Sequence, residues 1–249
     1  KVELGETEIE ALQRELHEEL GLWVEAQTPL IRICHDYPDK SVELSVWQVT
    51  QWRGGSYDGA DAGPMQGREG QLVRWVAPED FLQLSFPAAN SPIVAAVRLP
   101  AIWRITPALS SLTEVKQWAE QRLRSGFHAP VDAREGWLLR LPEWPLDDYV
   151  QAAEALVAFK AEALLQATTS GLACAPIALC LHGDPHVLQR VPAADGLHLN
   201  HRQVQQLVDN GQTAALLRRR AGQLVSAAAH SEAELAAALA AGVDSAWLS

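Results

Sequence analysis

The stretch GETEIEALQRELHEELGL, residues 5–22, decides how the first part of the chain is read. Ile9, Leu12, Leu16 and Leu20 recur at three- and four-residue steps. Residues 6–20 are therefore expected to form a helix with one apolar stripe, stopped by Gly21. With about 100° between successive residues, Glu15, Glu18 and Glu19 project as one cluster beside that stripe. Like charges three and four positions apart repel, and no lysine is interleaved among them. The cluster is either a solvated helix face or a set of hard oxygen ligands for a cation such as Mg²⁺ or Mn²⁺. In the second case Arg14 pairs with a neighbouring carboxylate and orients the group.

The chain has 249 residues, of which 48% are hydrophobic and 20% charged, the composition of a globular protein of one or two domains. A formal net charge of −11 leaves no broad positive field for nucleic acid or an anionic membrane surface. An anionic substrate would need a metal ion to bridge the two negative partners. Cys34, Cys174 and Cys180 stand at wide spacing without a CxxC, which speaks against a disulfide framework or zinc site and for a reduced, cytoplasmic setting. No run approaches about 18 uninterrupted apolar residues, so no transmembrane helix is expected. The chain starts at Lys1 without an initiator methionine and stops in the apolar run SAWLS (245–249). It is expected to be a fragment of something longer.

After the helix come two runs of β character, PLIRICHDY (29–37) and SVELSVWQVTQW (41–52), then the polar loop RGGSYDGADAGPMQGREG (53–70) and a further strand, QLVRWVA (71–77). The stretches either side of that loop are candidates for a long hairpin. SPIVAAVRL (91–99) reads as a short helix with Ser91 as N-cap and Pro92 at the first helical position. Trp47, Trp52 and Trp75 read as strand-packing residues more than as a base-stacking platform, and His17 as solvent-facing. Beyond about residue 100, short apolar strands alternate with Ala- and Leu-rich helices. Six strands can be counted, and Ser231 with Glu234 makes a capping box for the last full helix. Such alternation implies right-handed βαβ units and a parallel sheet, with a β/α barrel as one outcome.

The spacing around the acidic helix carries a resemblance. Glu6, seven residues, Arg14-Glu15-Leu16, one residue, Glu18-Glu19, one residue, Gly21-Leu22 resembles the Nudix box. That box marks hydrolases that cleave nucleoside diphosphates linked to another group. HDYPDKSVELSVWQVTQWRG (35–54), GREGQ (67–71) and FPAANSPI (86–93) look like the corresponding segments of MutT-type enzymes, which hydrolyse 8-oxo-dGTP to 8-oxo-dGMP and pyrophosphate. The resemblance implies that Glu15, Glu18 and Glu19 bind divalent cations, Mg²⁺ with Mn²⁺ as an alternative, and that Arg14 holds them in place. It implies a supporting place for Glu6, a catalytic or metal-binding place for Glu69, and a purine-recognising place for Asn90. It also implies a substrate-binding place for Lys1, whose positive charge would lie near the phosphates. A side-chain amide offers both donor and acceptor to a base edge, and a glycine-flanked carboxylate can move toward a metal when substrate arrives. Glu15 and Glu69 both remain open as the general base.

The second half resembles thiamine-phosphate synthase, a β/α barrel, through IWRIT (102–106), LLRLPE (138–143), LHGDP (181–185), DGLHL (195–199) and SAAAHSEAEL (226–235). On that likeness Arg140 falls at a pyrophosphate-contacting arginine and Asp184 at a metal-binding aspartate. Gln203, Ala228 and Leu138 depart from the pattern, which implies a degenerate barrel without synthase activity. His182, His186, His198 and His201 fall near the same strand ends and read as polar loop residues rather than a zinc set.

The expected fold is therefore α/β. An incomplete Nudix α/β/α sandwich over residues 1–99 precedes a partial parallel β/α barrel of the thiamine-phosphate-synthase type over 100–249. The expected function is Mg²⁺-dependent sanitation of oxidised purine nucleoside triphosphates, with no direct nucleic-acid or membrane partner. The alternatives are a Nudix hydrolase of another nucleoside diphosphate derivative, or a thiamine-phosphate-binding or synthase module with secondary Nudix activity.

Overall fold

The computed structural model describes residues 1–54, 65–124, 135–169, 177–220 and 222–248. It divides into two compact units, Lys1–Arg98 and Leu99–Ser249.

In the first unit, helix α1 (Glu8–Leu20) opens on a full capping box: Thr7 Oγ1 accepts from the Glu10 N–H while the Glu10 carboxylate accepts from Thr7 N–H. This pairing satisfies two of the otherwise orphaned groups at the helix start. The helix ends on Gly21, whose φ of 73° is the left-handed conformation that favours glycine. Strands β1 (Leu22–Asp36) and β2 (Ser41–Gly54) then pair antiparallel from Leu22–Gly54 to Asp36–Ser41. Pro29, which cannot donate to a ladder, sits where the register shifts between Pro29 and Ile31. The turn between the strands is closed by Tyr37 N–H donating to Lys40 C=O at 2.7 Å.

This pairing corrects the expected hairpin. β2 takes β1 as its partner across residues 37–40, and the ladder around the glycine-rich segment is short, β3 (Met65–Gln66) against β4 (Leu72–Val73). Two 3₁₀ turns, Pro78–Gln83 and Ala88–Asn90, lead into α2 (Ser91–Arg98). Ser91 is already helical (φ −55°, ψ −45°), so it is not the N-cap expected from the Ser-Pro pair.

In the second unit six strands form one parallel sheet: β5 (Ile102–Ile105), β6 (Glu135–Leu139), β7 (Ala178–His182), β8 (Gly196–Leu199), β9 (Leu224–Ala229) and β10 (Ser245–Leu248). They are neighbours in chain order, without the reversal of a doubly wound sheet. The connecting helices are α3 (Leu112–Arg124), α4 (Leu146–Thr169), the single turn α5 (Val187–Arg190), α6 (His201–Asp209) and α7 (Glu232–Ala241). α7 starts at Ser231, which caps Glu234 N–H. The Glu234 carboxylate bonds His230 N–H instead of closing the expected box on Ser231.

Strand periodicity sorts the side chains. Trp137, Leu139, Leu179, Leu181, Leu197, Leu199, Val225 and Ala227 point to one face and share a core with Val115, Ala153, Leu156 and Ala238 of the helices. Each buried Leu on that face contributes roughly 1.5–3 kcal/mol. The alternate positions, Trp103, Leu138, Cys180, Leu224 and Trp247, form a second cluster. Trp103 of the first strand and Trp247 of the last have ring centroids 5.0 Å apart. In a flat sheet with about 4.8 Å between strands these strands would stand about 24 Å apart, so the sheet is curled, with this cluster on its concave side. Cys180 is buried there as a free thiol, and burial pushes its pKa up. Cys34 is exposed and free, and Cys174 lies outside the described residues.

His198 is 5% exposed on the concave side, its Nδ1 2.8 Å from Ser226 Oγ and its ring 4.3 Å from that of Trp247. Burial first, then the neighbouring His182 and Arg140, push its pKa down to about 4. Below about 6.5 the unfolded chain therefore takes up a proton that folded His198 refuses, so acidification costs about 1.4 kcal/mol of stability per pH unit. Urea unfolding between pH 7 and pH 5 is expected to show this loss, and His198→Gln to flatten the slope by about that amount. An unchanged slope in the variant would show that the ring is not held neutral.

Candidate active site

The acidic helix is organised by one guanidinium. Arg14 Nε and Nη2 donate to Glu6 Oε1 and Oε2 at 2.8 and 3.1 Å, a two-point grip on one carboxylate. Arg14 Nη1 donates to Glu15 Oε1 and Glu18 Oε2, each at 3.0 Å, and Nη2 also reaches the Lys1 C=O at 2.9 Å. All five N–H donors of the group are thereby used, which a lysine could not reproduce. The Arg14 hydrogen bond, followed by the Glu3 backbone N–H, holds the Glu6 carboxyl below its ordinary pKa.

Glu15 and Glu18 each present a second oxygen, Oε2 and Oε1 respectively, that engages no partner among the described residues. Glu18 borders an open cavity of about 650 Å³ together with Arg14, His17 and Trp23. His17 does not face solvent as expected: it is half-buried and stacks on Trp23, with ring centroids 3.8 Å apart. Among the described residues no group of three or more His, Cys, Asp or Glu side chains is arranged to hold a metal ion. Glu15 and Glu18 converge on Arg14, whereas Glu19 is exposed. Lys1 reaches this cluster through its backbone, its nitrogen 2.8 Å from Glu15 Oε1.

Glu69 is carried by a turn in which Gly67 N–H donates to Gln71 C=O at 2.7 Å and Gly70 N–H to Gly67 C=O at 3.0 Å. Its neighbour Arg68 donates its N–H to Glu19 C=O at 2.8 Å and Nη1 to His17 C=O at 3.1 Å. Glu69, exposed, thus stands beside the C-terminal end of α1. Neither contact of Arg68 was foreseeable from local sequence.

Asn90 lines a different cavity, of about 430 Å³, with Tyr37, Lys40 and Pro87. Lys40 Nζ lies 5.9 Å from the centre of the Tyr37 ring. Sequence reasoning gave Tyr37 and Lys40 no role: Tyr37 closes the β run 29–37, and Lys40 falls between the two β runs. Trp52 and Trp75 pair at 5.6 Å and are 41% and 66% exposed, so they are not the buried packing residues expected.

In the second unit Arg140 directly follows β6, its N–H bonded to Thr106 Oγ1 at 2.9 Å. Asp184 accepts from the His186 N–H at 2.8 Å and lies 2.7 Å from His186 Nδ1. Gln203 closes a capping box with Asn200 and donates to Gly183 C=O.

Residues 1–96 match the family model described as NUDIX domain. Over 98 residues, 39% of the chain, it is 31% identical to the 8-oxo-dGTP diphosphatase of Escherichia coli strain K12 and covers 69% of that protein. Over 53 residues, 21% of the chain, it is 45% identical to the 8-oxo-dGTP diphosphatase of Proteus vulgaris and covers 47% of it. Over 96 residues, 39% of the chain, it is 29% identical to the CTP pyrophosphohydrolase of Escherichia coli strain K12 and covers 64% of it. The chain therefore spans between about half and about two thirds of the length of these relatives. Through residues 1–96, it belongs to the Nudix family, the hydrolases of nucleotide diphosphate bonds.

Proposed function

We propose that the first unit hydrolyses oxidised purine nucleoside triphosphates, converting 8-oxo-dGTP to 8-oxo-dGMP and pyrophosphate, and so protects DNA synthesis from damaged precursors. The observation that carries this is the Arg14 clamp, which holds Glu15 and Glu18 by one oxygen each and leaves the other available. The two 8-oxo-dGTP diphosphatases among the relatives support the choice of substrate.

The donor set fits a divalent cation: carboxylate oxygens are the ligands that Mg²⁺ and Mn²⁺ prefer, and Arg14 keeps two of them at fixed positions. Glu15, Glu18, Glu19 and Glu69 would hold the metal. When bound, it supplies charge neutralisation of the triphosphate and lowers the pKa of water. The remaining work belongs to the chain. Arg14 keeps Glu15 and Glu18 aimed; Glu15 or Glu69 accepts the proton as water attacks phosphorus; Asn90 offers donor and acceptor to the purine edge. The cavity beside Asn90 has the size of a small-ligand site.

For the second unit, spanning about residues 100–249, we propose a partial β/α barrel of the thiamine-phosphate-synthase type that has lost synthase activity. Sequential parallel strands and strong curling support the architecture. The structural duties of Gln203 and the pairing of Asp184 with His186 support the loss. A second substrate reading, hydrolysis of CTP, is favoured by the pyrophosphohydrolase relative alone.

Pyrophosphate release from 8-oxo-dGTP, dGTP and CTP in Mg²⁺ distinguishes these readings. Preference for 8-oxo-dGTP is expected, with Glu18→Gln lowering kcat on the order of 100-fold, the scale of lost transition-state charge stabilisation. Preference for CTP would replace the substrate. Asn90→Ala is expected to lower the 8-oxo-dGTP to dGTP selectivity about tenfold, the worth of one hydrogen bond to a base, with little change in kcat. Full selectivity in that variant would place base recognition elsewhere.

A further inference from the structure

We propose that Arg68 is a positioning residue: it fastens the turn carrying Glu69 to the C-terminal end of α1, and so sets where Glu69 can reach. The inference rests on the reading of Glu69 and the α1 carboxylates given above, and it adds a residue to which that reading assigns nothing.

Besides an approach of Nη1 to the His17 ring at 3.5 Å, three contacts fix Arg68. Its backbone N–H donates to Glu19 C=O, and its guanidinium Nη1 donates to His17 C=O. The Glu19 carbonyl is one that the end of a helix leaves without an intrahelical donor, and the His17 carbonyl accepts from Arg68 in addition to the capping Gly21 N–H. They flank Glu18, so the turn is referenced to the helix at the residue that borders the cavity. The positive group also sits at the negative end of the helix dipole, where a cation is favoured.

The third contact is packing against Gly21. A Cβ there would meet Arg68 Nε and Nη2 at 2.9 Å and Cζ at 3.1 Å. Gly21 therefore serves twice. Its φ of 73° ends the helix, and its lack of a side chain makes the space that the guanidinium fills.

The turn is also closed on itself. A Cβ on Gly67 would fall 2.2 Å from Gln71 Cδ, and Gly67 and Gln71 are joined through their backbones. A turn closed in this way and held at Arg68 places the next residue with it, since consecutive Cα atoms are about 3.8 Å apart. Glu69 thus approaches the α1 carboxylates without first losing the freedom of an unanchored loop, the form of pre-organisation that raises kcat.

The test is a double-mutant cycle on the full chain. Pyrophosphate release from 8-oxo-dGTP is measured in Mg²⁺ for wild type, Arg68→Ala, Glu69→Gln and the double variant. Arg68→Ala is expected to lower kcat about 10- to 100-fold, as misplacement of a reacting group does, with KM changed by no more than about twofold. In the Glu69→Gln background the same change is expected to cost nothing further, because the pair acts as one unit. Arg68→Lys, which keeps the charge and a donor, is expected to recover more activity than Arg68→Gln. Mn²⁺ alone, titrated by the electron paramagnetic resonance signal of the free ion, gives a readout separate from turnover. Arg68→Ala and Glu69→Gln are expected to weaken its binding by similar, non-additive factors.

An equal loss on both backgrounds, or none, overturns the proposal while leaving the substrate reading intact. No turnover of any nucleotide by the wild type overturns the substrate reading instead. The Mn²⁺ titration then decides for Arg68, since affinity unchanged by Arg68→Ala would overturn its positioning role. If Arg68→Ala does not fold, the Lys and Gln variants carry the same cycle.

Discussion

The first unit depends on a single guanidinium. Glu6, Glu15 and Glu18 would repel one another if only solvent stood between them, and the helix would gain nothing by collecting them. Arg14 converts that repulsion into order by taking both oxygens of Glu6 and one each of Glu15 and Glu18. Because all five N–H groups are committed, the plane of the guanidinium is fixed, and the outward oxygens inherit its orientation. Charge-assisted bonds of this kind are stronger than neutral ones. Here they aim the acidic groups, a different task from adding stability, since exposed ion pairs contribute little on their own.

What could be foreseen of this arrangement follows the range of each interaction. Arg14, Glu15 and Glu18 lie within one helical turn, so their proximity follows from helix geometry, and the spacing was legible before any coordinates. Glu6 stands eight residues from Arg14 and before the helix start, so its two-point grip depends on how Thr7 turns the chain into α1. Arg68 is farther still, 51 residues from His17, and no local pattern announces it. The hairpin was misassigned for a related reason. A glycine-rich segment looks like the natural turn, yet the shorter YPDK segment brings two long alternating runs into register along their whole length. Ser91 failed as a cap because the chain is already coiled in a 3₁₀ turn when it arrives there.

In the second unit the alternation of strands and helices was legible because each strand is a short apolar run bounded by turn residues. The curl was not, since it depends on which side chains share the concave face. Trp103 and Trp247 read as ordinary strand residues, and only their approach at 5.0 Å shows that the first and last strands converge. The same curvature buries His198 between Ser226 and Trp247 and accounts for its suppressed protonation. A histidine at a strand end is polar by type, but its chemistry here is set by the tryptophan that covers it.

Directional bonds hold α1 at both of its ends. Of the helix residues only Ala11 is buried among the described neighbours, while Leu12, Leu16 and Leu20 are half-buried. At one end the Thr7–Glu10 box fixes the first turn. At the other, Gly21 ends the helix and Arg68 takes two carbonyls of the last turn. The carboxylates lie between these anchors, with Arg14 at their centre. A helix fixed by hydrogen bonds at both ends can keep its acidic face open to solvent and ligands, which a helix fixed by burying that face could not do.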